Sequence, residues 1–203
     1  MKLYQKLFAA FYDRFMNSTE QTLEINRRQL LSHLEGNVLE VGVGTGVNFR
    51  YFNDIARVIA IEPSAPMLKK AIRKIPSGKN IEVHNLGVND VALEVLIGDN
   101  SLDAVVCTLV LCTIPDPQLA LQKFKRWLKP DGQLVVLEHI RSSHHWHARL
   151  QDWVNPLWKA VGEGCNLNRN TDTMIRKAGF VTVEESYFKN SVTWFQGVFK
   201  LNS

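Results

Sequence analysis

The chain has 203 residues, 45% hydrophobic and 22% charged, with a formal net charge of +4, a composition that suits one soluble globular domain with a sizeable core. No run approaches the roughly 18 uninterrupted apolar residues of a spanning helix. Met1–Met16, broken by Lys2, Lys6, Asp13 and Arg14, does not read as a secretory signal. Three cysteines (Cys107, Cys112, Cys165) are too few for a disulfide framework, so a reducing, cytoplasmic setting is expected. The densest basic cluster, Lys69, Lys70, Arg73, Lys74 and Lys79, has helical spacing and no interleaved aromatics. It reads as a solvated face, and no nucleic-acid partner is expected.

Leu3, Tyr4, Leu7, Phe8, Phe11, Phe15 and Met16 recur every three or four residues, predicting an amphipathic helix. Ser18 or Thr19 would cap a second helix reaching about Leu34, closed by Gly36. Asn37–Val43 then reads as a buried strand, Val58–Ile61 as a second, Ala65–Ile75 as a helix and Ile81–His84 as a third strand. The most hydrophobic run, Ala104–Cys112, predicts a central fourth strand. A helix from Pro117 to about Lys129 leads through the turn Pro130-Asp131-Gly132 into a fifth strand, Gln133–Glu138. Residues 142–170 read as an irregular cover over a site, and a last helix ends at Met174–Ala178. Phe180–Tyr187 and Thr193–Leu201 close the chain as an antiparallel pair. Strands alternating with helices predict a single α/β domain over 1–203, a mostly parallel sheet with helices on both faces.

Val38 to Gly46 is the most informative segment. A strand runs into Gly42-Val43-Gly44-Thr45-Gly46, where backbone can approach a ligand more closely than any Cβ allows. Glu62, about twenty residues on at the end of the next strand, stands where a carboxylate accepts from both hydroxyls of a ribose. The spacing is G-x-G-x-G, with Val47 where a dinucleotide fingerprint would carry its third glycine. Glu40, just before the turn, would repel a pyrophosphate yet suit a cationic ligand. The combination points to S-adenosylmethionine (SAM), a nucleoside with a sulfonium and no phosphate.

Glu40–Gly46, Glu62-Pro63, Leu102–Val106 and Leu128–Gly132 together resemble the successive motifs of class I SAM-dependent methyltransferases, covering roughly residues 36–140 in the expected order. The resemblance implies a Rossmann-like, seven-stranded, mostly parallel sheet with an antiparallel last strand. It also implies a cofactor site made by Glu40, Gly42, Val43, Gly44, Thr45, Asn48, Glu62, Pro63, Met67, Gly87, Val88, Asn89, Thr108 and Leu109. Cys107–Cys112, Glu138-His139 and Gly164–Arg169 are similar to segments of the animal thiol methyltransferases of the methyltransferase-like group, and to bacterial phosphatidylethanolamine N-methyltransferases. The expected acceptor is therefore a phospholipid amine or a small thiol. A catalytically silent SAM-binding regulatory or interaction protein is the alternative.

Methyl transfer asks mainly for a collinear nucleophile in a site closed to water. A thiol or ammonium must first lose a proton, for which His139, just past the fifth strand, is the candidate. Cys107 and Cys112 read as core; Cys165, Trp153, Trp158 and Arg169 could border an acceptor pocket. His144, His145 and His147 lack a clear helical ligand pair, so no metal is expected. The N-terminal segment, 1–34, reads either as a lid over the cofactor or, through 1–16, as a peripheral membrane contact. Nothing in the sequence sets an oligomeric state.

Overall fold

The computed structural model describes residues 2–189 and 192–202; Met1, the first residue of the expected membrane-contact segment, lies outside them. Five runs rich in Val, Ile, Leu and Ala form parallel strands: β1 (Gly36–Val41), β2 (Ala56–Ile61), β3 (Asn80–His84), β4 (Leu102–Thr108) and β5 (Leu128–Ile140). β6 (Phe180–Lys189) and β7 (Thr193–Leu201) complete a seven-stranded sheet in the order β3-β2-β1-β4-β5-β7-β6. β7 runs antiparallel to both its neighbours, as expected of the last strand.

Each face of the sheet is covered, because strands this apolar must be buried on both sides. One face packs under α1 (Lys2–Leu31) and α2 (Ala65–Ile72), with Leu23, Leu30, Leu31, Leu68 and Ala71 meeting Val38, Val58, Val106 and Val135. The other packs under α3 (Ala92–Leu96), α4 (Pro117–Trp127) and α6 (Thr171–Lys177), where Leu93, Leu121, Phe124, Trp127 and Ile175 meet Leu39, Val105, Val136 and Phe199. Asp116 caps α4, its side chain accepting from the Leu119 amide at 3.0 Å.

Three expectations are corrected. The two N-terminal helices are one 30-residue helix: no Gly or Pro interrupts Lys2–Leu31, and mid-helix Ser and Thr cost only tenths of a kcal/mol, on the order of 0.5. Thr22 Oγ1 simply bonds back to the Ser18 carbonyl at 3.0 Å. The turn at Pro130-Asp131-Gly132 is absorbed into β5 as an irregularity, the register against β4 jumping from Leu102↔Leu128 to Ala104↔Gln133. The stretch 142–170 holds a 17-residue helix, α5 (His145–Val161). Its apolar stripe, Trp146, Leu150, Trp153, Leu157 and Val161, recurs at helical spacing and was a readable signal; all five residues are exposed.

The two halves of α1 differ in the same way. Leu3, Leu7, Phe11 and Phe15 are exposed, while Leu23, Leu30 and Leu31 lie in the core. Leu23→Ala should therefore cost about 2–5 kcal/mol of unfolding free energy, whereas Phe11→Ala should stay within about 0.5 kcal/mol. Urea titration followed by circular dichroism measures both; equal losses would mean that the helix does not pack in this way.

Candidate active site

The strand order reverses between β1 and β4, since β1 lies between β2 and β4. The carboxyl ends of those two strands open the crevice in which ligands of open α/β sheets bind. The glycine turn lies there. Gly42 has φ of +65°, and a Cβ on it would come within 2.2 Å of Val110 Cγ2, so nothing larger fits. Gly44, at φ +55°, faces open space apart from Met67 Cε at 3.8 Å, leaving backbone bare for an approaching group.

Two carboxylates bracket this backbone. Glu62 Oε2 accepts from the Gly44 amide at 2.9 Å and Oε1 from the Ser64 amide at 2.8 Å, which fixes the carboxylate beside the turn. Burial raises its pKa against those two hydrogen bonds. Glu40, at 2% exposure, accepts from Asn48 Nδ2 at 2.8 Å on Oε1. Its Oε2 is buried with no hydrogen-bond partner among the described residues. Burial pushes Glu40 up to about 7, with Asn48 and Arg27 pulling the other way. An unpaired buried carboxylate oxygen is costly unless a donor or cation meets it. The ammonium and sulfonium of SAM are of the required sign.

The remaining expected residues divide. Thr108 Oγ1 accepts from Asn48 Nδ2 at 2.8 Å, and Leu109 takes a left-handed φ of +56° at the end of β4, so both border the crevice. Val43 and Met67 are buried beside the turn. Pro63 is exposed, its carbonyl accepting from Asn85 Nδ2. Across the crevice, the Gly87 amide donates to Asp90 Oδ2 at 2.5 Å and Asn89 Nδ2 to the Asp116 carbonyl at 3.4 Å. The Val88 side chain packs into the core with Leu93 and Ile114.

Sequence reasoning offered 1–34 as a lid but named none of the α1 side chains that reach the crevice. Arg27, 3% exposed, donates from Nη1 to Asn48 Oδ1 (2.6 Å) and Thr108 Oγ1 (2.9 Å), while its Nη2 and Nε meet Glu20 at 3.0 and 2.9 Å. Thr45 Oγ1 donates to Asp13 Oδ1 at 2.6 Å, and Lys70 and Lys74 reach the same carboxylate at 3.3 and 3.1 Å. Two residues of the basic cluster, Lys70 and Lys74, thus anchor α1. With Tyr12, whose phenol pKa is pushed up by burial, these groups leave a cavity of about 40 Å³ against Gly42–Thr45. Pockets for small molecules run to roughly 300–1,000 Å³, so this cavity by itself does not enclose a nucleoside. Glu20 and Arg27, seven apart on the stripe that carries Leu23 and Leu30, were the available signal: charges on an otherwise apolar helix face. A larger open groove of about 690 Å³ runs from Arg141–Ser143 to Tyr187–Lys189 and contains no residue of the turn.

At the far side of β4, His139 Nε2 lies 3.1 Å from Cys165 Sγ, which lies 3.6 Å from Cys112 Sγ. Cys112 therefore belongs to a polar cluster as well as to the core. Glu138, beside His139, accepts from the Val110 and Leu111 amides at 2.7 Å each. Arg169 Nη1 donates to the Leu111 and Ile114 carbonyls and holds the loop after β4. Trp153 is 81% exposed and lines neither of the two cavities described above; Trp158 packs against Phe15 with centroids 6.5 Å apart. His144, His145 and His147 are exposed at the start of α5.

A family model described as a methyltransferase domain matches residues 39–136. Thiol S-methyltransferase TMT1B of Rattus norvegicus is 32% identical over 181 residues, 85% of this chain and 74% of the relative. A phosphatidylethanolamine N-methyltransferase of Cereibacter sphaeroides is 30% identical over 120 residues, 58% of this chain and 59% of the relative. Among solved structures, a Thermotoga maritima SAM-dependent methyltransferase, described as a possible histamine N-methyltransferase, superposes with a TM-score of 0.67 at 22% identity, covering 98% of this chain and all of that one.

Two outcomes test the site. Glu62→Ala removes a charged acceptor, so calorimetric SAM affinity should fall about ten- to a hundredfold, corresponding to roughly 1.5–3 kcal/mol; native affinity would displace the ribose from Glu62. The second concerns Glu40, whose raised pKa of about 7 leaves it largely neutral below pH 7 and charged above. A cation binds the charged form better, so affinity should rise between about pH 6 and 8, and Glu40→Gln should flatten that part of the profile.

Proposed function

The chain belongs to the class I SAM-dependent methyltransferases, with S-adenosylmethionine as methyl donor, and we propose that its acceptor is the sulfur of a small, apolar thiol. The carrying observation is the contact of His139 Nε2 with Cys165 Sγ at the carboxyl end of β5, beside the crevice at the end of β4. Cys165 is held down to about 4, first by the hydrogen bond with Cys112 and then by His139; burial acts against both. Burial alone would lower His139, and the contact with Cys165 outweighs it and raises the imidazole. A group that manages protons is what a thiol needs before it can attack carbon. The name of the rat relative points the same way.

SAM, when bound, supplies a methyl group already activated by a sulfonium. The protein's part is to bind, orient and exclude water. Glu62 takes the ribose hydroxyls, Glu40 faces the cationic end, and Gly42, Val43, Gly44, Thr45, Asn48, Thr108 and Leu109 form the floor. Pro63, Met67, Gly87, Val88 and Asn89 border the adenine. Residues 1–34 act as a lid, closed through Asp13, Glu20 and Arg27.

A second reading, methylation of a phospholipid amine, rests on a separate observation. The outward residues of α1 (Leu3, Leu7, Phe11, Phe15) adjoin those of α5 (Trp146, Leu150, Trp153, Leu157), the helices meeting through Tyr4 and Val161 and through Phe15 and Trp158. Lys6, Arg14, Arg149 and Lys159 are exposed on the same two helices. Apolar faces with basic flanks suit a bilayer interface, and we infer a cytoplasmic enzyme held peripherally at a membrane. No helix of the described residues is long and apolar enough to cross one.

Purified chain with methyl-labelled SAM, offered alkyl thiols and phosphatidylethanolamine vesicles in parallel, separates the readings. Labelled thioether and S-adenosylhomocysteine should form with the thiols. Label in the lipid alone would move the acceptor to nitrogen, and SAM binding without turnover on either would leave a binding module. Sedimented in the same assay, the vesicles should carry the native chain and release Phe11→Asp/Trp153→Asp; equal sedimentation removes the membrane face.

A further inference from the structure

Cys112, His139 and Cys165 come from three separate segments, the loop after β4, the end of β5 and the loop after α5, yet each offers a ligand atom within 4.8 Å of the other two. Two of their separations approach those of a coordination sphere. Zinc bonds of about 2.3 Å to sulfur and 2.0 Å to nitrogen at tetrahedral angles put sulfur–sulfur pairs about 3.8 Å apart and sulfur–nitrogen pairs about 3.5 Å apart. The corresponding separations are 3.6 Å for Cys112–Cys165 and 3.1 Å for His139–Cys165.

The framework that holds them does not depend on the thiols. The Asn166 amide and side chain both donate to the Cys112 carbonyl, at 3.0 and 2.9 Å, tying the loop after α5 to the loop after β4. Glu138 grips the Val110 and Leu111 amides, and Arg169 the Leu111 and Ile114 carbonyls. The His139 ring stands edge-on to Trp194, with centroids 6.4 Å apart, which fixes its plane. Two soft sulfurs and one imidazole form a donor set suited to zinc in preference to magnesium or calcium. Three protein ligands leave one position of a tetrahedron open, the arrangement of catalytic rather than structural zinc.

We propose that Cys112, His139 and Cys165 form a zinc site whose fourth position takes the acceptor thiol. The second half of this statement rests on the thiol reading given above; the metal site itself does not. Coordination removes the proton from the incoming R–SH, which leaves to solvent. The sulfur lone pair then forms the new S–CH₃ bond as the methyl–sulfonium bond breaks, giving R–S–CH₃ and neutral S-adenosylhomocysteine. In the loaded site His139 is a ligand, and the metal replaces a general base.

The test uses the native chain, purified under reducing conditions and incubated with zinc sulfate before desalting. Elemental mass spectrometry should find about one zinc per chain, and X-ray absorption should show two sulfurs near 2.3 Å and one nitrogen near 2.0 Å. Zinc content should fall at least roughly tenfold in Cys165→Ser and His139→Ala, with melting temperature recorded to show that each variant folds. The measurements on the native chain decide the question even where a variant does not fold. A chain that stays metal-free, or one whose Cys112 and Cys165 are recovered as a disulfide, overturns the site. With cobalt in place of zinc, adding an alkyl thiol should change the ligand-field and thiolate charge-transfer bands. Unchanged bands overturn the acceptor role and leave the metal. Thiol methylation persisting in metal-free protein overturns the zinc mechanism while the thiol reading stands.

Discussion

A guanidinium cannot stay buried alone, and the arrangement above the glycine turn follows from how Arg27 is accommodated. Its charge is met by Glu20 from the same helix, and its remaining donors reach Asn48 and Thr108. Asn48 in turn passes a hydrogen bond to Glu40 at the end of β1. One network therefore joins the covering helix, the short 3-10 helix Val47–Tyr51, and the ends of the two strands at which the sheet order reverses. Because its members come from both sides, the network ties the position of α1 to the shape of the crevice, and it leaves Glu40 Oε2 without a hydrogen-bond partner among the described residues.

That coupling gives the cover its chemical use. Displacing α1 opens the turn but uncovers Arg27 and Asp13, whose partners lie on the other side of the cleft. A ligand that brings hydroxyls and positive charge to Glu62 and Glu40 compensates from the opposite wall, and reclosure then excludes water from the reacting atoms. The exposed apolar half of α1 lies on the outer side of the same helix.

The sheet was legible because its information is local. Val38–Gly46 shows a buried strand ending in obligatory glycines, and each β-branched run after it predicted a strand within a few residues of its true limits. The cover was less legible for two physical reasons. Ser18 and Thr19 resemble a cap, but without Gly or Pro a helix continues through them at small cost. In α5 the stripe Trp146, Leu150, Trp153, Leu157 and Val161 has helical spacing, but Pro156 inside the helix argues against one, and the helix was not read. Glu40, Glu62, Asn48 and Thr108 were named from motif positions, and the fold brings all four to one crevice. Arg27 was not, because its significance lies in contacts 21 and 81 residues away. The same holds for Cys112 and Cys165, 53 residues apart, which no spacing rule pairs.

Charge also explains why this crevice selects a sulfonium nucleoside over a phosphate-bearing one. Among the described residues lining the cavity Arg27 is the one cation, and Glu20 pairs with it, while the buried carboxylates Glu40 and Glu62 stand beside the glycine turn without a cation of their own. Both have raised pKa values, so each resists ionising in the closed state. A bound cation would lower both and recover that energy on binding, whereas a phosphate would raise them further. Methyl transfer then removes the positive charge: the donor arrives as a sulfonium and leaves as a neutral thioether. With the donor placed beside Glu40 and Glu62 as proposed, that attraction is weakened once the reaction is complete, which favours release of the product.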